Sequence, residues 1–119
     1  MQKTINLPTK ARIAGLEFTV NYTHNLENDA ESLAGQLTPH KRIIDICLDS
    51  NESLDDIMST LFHEAIHAAL HQSGISAVIG DEKIEEGIVV IMEHTFAQHL
   101  RRKSGLFTDW REIPLKGAK

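Results

Sequence analysis

The sequence has a single cysteine, Cys47, so it can form neither an intrachain disulfide nor a thiolate-cluster metal site. Such sparing use suits a reducing compartment. Only 7 Gly and 3 Pro occur in 119 residues, which excludes collagen-like and low-complexity chains. With 41% apolar and 24% charged residues the composition is not that of a disordered chain either. No apolar stretch approaches the roughly 18 uncharged residues of a membrane span. The opening Met1-Gln2-Lys3-Thr4-Ile5-Asn6 lacks the apolar core of a secretory leader. The expectation is therefore a cytoplasmic protein with no membrane partner. Its length suits one domain, residues 1–119, with a single modest core.

Acidic groups are plentiful where cations are few. Residues 13–100 carry a net charge of -12, whereas residues 101–119 carry +4 and the first twelve +3. An acidic body repels a phosphate backbone, which argues against nucleic acid as the main partner. Histidine is the residue in excess, with 7 in the chain, at 24, 40, 63, 67, 71, 94 and 99. Imidazole is the commonest side-chain metal ligand near neutral pH.

Hydrophobic periodicity predicts strands first and helices after. Leu16, Phe18, Val20 and Tyr22 alternate with Glu17, Thr19 and Asn21, the pattern of a half-buried strand over residues 12–22. A hairpin is predicted over 33–48, turning at Thr38-Pro39-His40-Lys41, with Ile44, Ile46 and Leu48 on one face of its second strand. The period then changes. Ser53, with Asp56 three residues on, reads as a helix N-cap, and Gly74 as the glycine that ends the helix. Leu54, Ile57, Met58, Leu61, Ala65 and Ala68 share a broad face while Ile66 and Leu70 make the opposite side apolar, so this helix should be central and buried. A second helix is predicted from Asp81 to the cations at 101–103, before Gly105. The reading is an α+β fold of N-terminal antiparallel strands followed by two main helices, its core at about 12–103 and residues 104–119 a loosely ordered tail.

Inside the first predicted helix lies His63-Glu64-Ala65-Ile66-His67, an HExxH match. A spacing of four turns a helix by about 400°, so His63 and His67 project one turn apart from one face and can bind one metal ion together. Glu64 lies about 100° from His63, where it can reach a metal-activated water without ligating the metal. Catalytic zinc takes three protein ligands. Ser73 stands where the third histidine of HExxHxxGxxH would be, so a carboxylate from the second helix is the expected third donor. Glu85 is chosen because it shares a stripe with Ile88, Val89, Met92 and Phe96, with Glu82 and Glu86 as alternatives, Glu86 continuing toward Glu93 on a more polar side.

The order of a strand hairpin, a helix with His63-Glu64-Ala65-Ile66-His67, a short loop and a helix opening Glu85-Glu86-Gly87-Ile88-Val89 resembles the small gluzincin-type zinc metallopeptidase domains of the ImmA/IrrE kind, common in phages and bacterial mobile elements. The resemblance covers roughly residues 12–100. It implies a minimal zincin-like core, a Zn2+ cofactor, a peptide or protein substrate, a bacterial or phage-infected host cytosol, and a cleft lined by the strand at about 42–48. In the implied chemistry Glu64 is the general base, and Tyr22, His24, His71 and His94 are the candidate donors to the developing oxyanion. Two other readings are a zinc-containing binding module without turnover and a hydrolase of non-peptide amides. The first is opposed by Glu64, for which a structural zinc site has no use.

Overall fold

A computed structural model describes residues 3–24, 27–28, 31–32, 34–51, 53–96 and 105–115. Its architecture is α+β. Strands β1 (Thr4–Ile13), β2 (Leu16–Thr23), β5 (Gly35–Thr38), β6 (Ile43–Cys47) and β7 (Phe107–Pro114) form one sheet in the order β5-β6-β2-β1-β7, and β3 (Glu27–Asn28) pairs with β4 (Glu31–Ser32) outside it. Helices α1 (Leu54–Gln72), α2 (Ile75–Ile79) and α3 (Glu82–Phe96) stand between β6 and β7 in the chain. No helix among the described residues is long and apolar enough to cross a membrane.

The strands hold their predicted faces but not all their predicted partners. The alternation at 12–22 belongs to two strands, because Ala14 and Gly15 both take positive φ, 50° and 79°, and make a two-residue hairpin turn of matching twist. β1 reaches back to Thr4, with Leu7, Ala11 and Ile13 on its buried face, an alternation hidden in the sequence by Pro8 and the neighbouring cations. The predicted hairpin is present as β5 and β6, paired antiparallel from Thr38↔Ile43 to Gly35↔Ile46. β6, however, runs parallel to β2, from Thr19↔Ile43 to Thr23↔Cys47, so the sheet is mixed and not wholly antiparallel. The expectation of a loosely ordered tail also gives way. β7 pairs with β1 from Thr4↔Pro114 to Ala11↔Phe107, Phe107 is buried in the core, and Trp110 and Ile113 pack on it. Charges at Asp109, Arg111 and Glu112 obscured its periodicity, and a partner about a hundred residues away leaves no local signal.

The predicted first helix, with both its ends, is α1. Ser53 Oγ accepts from the Asp56 backbone N–H at 3.2 Å, and Gly74, at φ 82°, follows the C-cap Ser73. One face places Ile57, Leu61, Ala65 and Ala68 on Leu7, Phe18, Val20, Ile44 and Ile46 of the sheet. The other places Phe62 and Ile66 against Val89 of α3, with Leu70, Met92 and Leu106 around them. Burial on both sides explains why this helix is apolar nearly all round. The helix predicted from Asp81 is α3, whose first turn is capped by Asp81 Oδ1 accepting from the Lys83 N–H at 2.8 Å. Phe96, placed by the sequence in the packed stripe, is 46% exposed. The predicted end at 101–103 lies outside the described residues.

Tyr22, the only tyrosine, donates its hydroxyl to the Pro8 carbonyl at 2.6 Å, and burial raises its pKa well above the ordinary value near 10. A raised folded-state pKa means stability that is complete below pH 10 and is lost as pH climbs beyond it, by up to about 1.4 kcal/mol per pH unit. In an alkaline titration the phenolate absorbance should therefore rise together with unfolding and not before it. A phenolate signal with an ordinary midpoint in the folded protein would contradict this.

Candidate metal centre

One turn of α1 brings the imidazoles of His63 and His67 side by side, their ring centroids 5.0 Å apart. Both Nε2 atoms face one carboxylate oxygen of α3. Glu86 Oε1 lies 3.1 Å from His63 Nε2 and 2.8 Å from His67 Nε2, and the three residues form the group of ligand atoms, all within 4.8 Å of one another, that could hold a metal ion. Two ligands of a tetrahedral zinc lie roughly 3.3 Å apart, given bond lengths near 2.0–2.1 Å, so the two nitrogen–oxygen separations to Glu86 are within about half an ångström of that spacing. The Nδ1 atoms have carboxylates of their own. Glu93 Oε1 is 2.7 Å from His63 Nδ1, and Glu85 Oε2 is 2.6 Å from His67 Nδ1.

The structure groups Glu86, and not the expected Glu85, with the two Nε2 atoms. Glu85 stands behind the His67 ring and Glu86 in front of both rings; Glu82 is not in the ligand group. Glu93 is not among the sequence-predicted site residues, although it lies seven residues after Glu86, on the same helical face. Such a polar stripe reads as solvated until the facing helix is known to carry two histidines.

Glu64 is set apart from this group. Its Cγ lies against β5 at Gly35, where a Cβ would sit 3.2 Å from it and 2.8 Å from Thr60 Cγ2, so only glycine allows so close an approach. Asn51 secures the same junction by donating to the Cys47 carbonyl at 2.6 Å and accepting from Thr60 Oγ1 at 2.7 Å. Neither residue stands out in the sequence, because their role is a backbone approach. Burial raises the Glu64 pKa, against the opposing pull of His63 and His67. For His67 burial acts downward, but hydrogen bonds to Glu85 and Glu86 outweigh it and the net shift is upward. The Ser76 hydroxyl, close to Glu85 without a hydrogen bond of full geometry, acts with His67 to hold the Glu85 carboxyl below its ordinary range.

A cleft of about 700 Å³ opens beside Glu64 and His67, with Gln36 and Leu37 of β5 on one side and His71 and Glu82 on the other. Of the four candidate oxyanion donors, His71 alone lines it. Tyr22 is committed to Pro8, His24 Nδ1 faces Asp49 at 3.0 Å, and His94 lies exposed near the end of α3. Cys47 is buried, its sulfur accepting from Ser50 Oγ. The expected border strand is also replaced. β6 is paired on both sides, so the sheet margin nearest Glu64 is β5, whose outer edge has no strand partner among the described residues. In comparisons with known proteins, no family model, no curated protein and no solved structure matches this chain.

Proposed function

We propose that this chain is a zinc-dependent peptidase of the gluzincin kind, holding Zn2+ with His63, His67 and Glu86 and using Glu64 as general base on extended peptide segments in the cytoplasm. One observation carries the reading. Two Nε2 atoms and a carboxylate oxygen converge between α1 and α3, next to a further carboxylate, Glu64, that lies outside the group and lines an open cleft. A structural zinc site needs no such carboxylate and closes its fourth position with a protein ligand. When bound, zinc supplies a Lewis acid for a scissile carbonyl and lowers the pKa of water toward neutrality.

The chain's own residues supply the rest. Glu64 accepts the proton of the attacking water and returns it to the nitrogen of the leaving amine, which breaks the C–N bond and releases a carboxylate and an amine. Its buried position raises its affinity for that proton. His71 is the N–H donor in the cleft for the carbonyl oxygen as charge develops there. The free edge of β5 offers main-chain hydrogen bonds to an extended peptide, which gives affinity with little sequence selectivity.

Metal content tests the ligand set. Glu86→Ala should emerge from purification without metal, whereas Glu85→Ala should keep a stoichiometric ion at an affinity lowered by no more than the roughly 10–100-fold typical of an outer partner. Loss of metal in Glu85→Ala with retention in Glu86→Ala would restore the choice made from sequence. A metal-free wild-type protein that takes up no zinc on titration would remove the peptidase reading.

A further inference from the structure

Every neutral imidazole has one N–H and one lone pair, and the group facing one nitrogen decides which electron pair the other can offer. In this protein each ring of the candidate centre has its own carboxylate on Nδ1, at 2.7 Å for His63 and 2.6 Å for His67. An ionised carboxylate can only accept, so these two contacts favour hydrogen on Nδ1 of both rings. Glu86 competes from the Nε2 side, but with a single oxygen shared between two rings, at 3.1 and 2.8 Å. Its side chain is 51% exposed, against 18% for Glu85 and 18% for Glu93. Nothing in a solvated ion pair requires two carboxylates to be half-buried at the α1–α3 contact, where desolvation costs free energy unless they are hydrogen-bonded. Both sit on the helix that carries Glu86, one residue before it and seven after, so one docking event places all three.

From this geometry we infer that Glu85 and Glu93 are positioning residues that lock His67 and His63 in the Nδ1–H form, so that both Nε2 lone pairs point at one ion. The inference rests on the metal-centre reading but concerns residues that reading does not use. Free histidine in water prefers the opposite form, with hydrogen on Nε2. The two carboxylates must therefore invert the intrinsic preference of both rings. An outer partner of this kind contributes roughly 10–100-fold in metal affinity.

The test combines nitrogen NMR of histidine-labelled protein with zinc affinity measured by chelator competition. In wild-type protein, metal-free above the histidine pKa and again with zinc, both rings should show hydrogen on Nδ1. Glu93→Ala should return the metal-free His63 to the Nε2–H form, leave His67 as it was and weaken zinc about 10–100-fold; Glu85→Ala should do the converse. Glu93→Gln, whose amide oxygen still accepts from Nδ1, should recover part of that loss together with the Nδ1–H form of His63, a joint rescue that a purely electrostatic role would not give. Nε2–H rings in the wild-type metal-free protein, or a Glu93→Ala protein with unchanged ring form and affinity, would overturn the inference. If wild-type protein bound no zinc, the peptidase reading would fall, and the metal-free spectra would still decide on the clamp.

Discussion

Stripping zinc from this protein with a chelator is expected to lower its melting temperature by about 10–20 °C. A ligand held at 1,000 times its Kd stabilises the folded state by about 4.1 kcal/mol. For a domain of this size each kcal/mol moves the midpoint by roughly 3–5 °C. The apolar contact between α1 and α3 is small, since Val89 is the only fully buried residue of α3 and its cluster holds just Phe62 and Ile66 besides, with Leu70, Met92 and Leu106 partly buried around them. Around that contact stand Glu64, Glu85, Glu86 and Glu93, an excess of negative charge that a divalent cation relieves. Thermal unfolding followed by circular dichroism, with chelator and with zinc, measures the difference. His63→Ala should abolish it, leaving a protein indifferent to both. Equal midpoints for the wild-type protein under the two conditions would count against a resident metal.

Replacing the base should separate chemistry from binding. Glu64→Gln keeps the shape of the side chain and all three proposed metal ligands, so zinc content should stay at one per chain. It removes the group that accepts the water proton, and peptide hydrolysis should fall by about 10²–10⁴-fold in kcat. His63→Ala and His67→Ala should lose metal and hydrolysis together. Because the Glu64 carboxylate is buried and its pKa raised, Glu64→Gln should melt no lower than the wild-type protein, as expected where a site spends stability on function. Full activity in Glu64→Gln would show that another group moves the proton. Absence of hydrolysis in the wild-type protein, with zinc retained, would favour a binding module.

Local chemistry wrote much of this protein into its sequence. Ser53 and Gly74 delimit α1 because a cap and a left-handed residue are decisions of single residues, and Asp81 opens α3 for the same reason. The HExxH spacing put His63 and His67 on one face with Glu64 beside them, since helical geometry alone fixes positions one and four residues apart. The β5–β6 hairpin followed from its turn and its alternation. Tertiary structure decided the rest. Alternation says which side of a strand is apolar but not which strand lies next to it, so the parallel β2–β6 pair and the return of β7 to β1 were settled by packing. The same holds for the carboxylate that faces both Nε2 atoms. Glu85, Glu86 and Glu93 all flank Val89 on the face of α3 that meets α1, and Glu85 and Glu86 differ by only about 100° about the helix axis. Periodicity could not choose between them, because the rotation of α3 is set by where Val89 seats against Phe62 and Ile66.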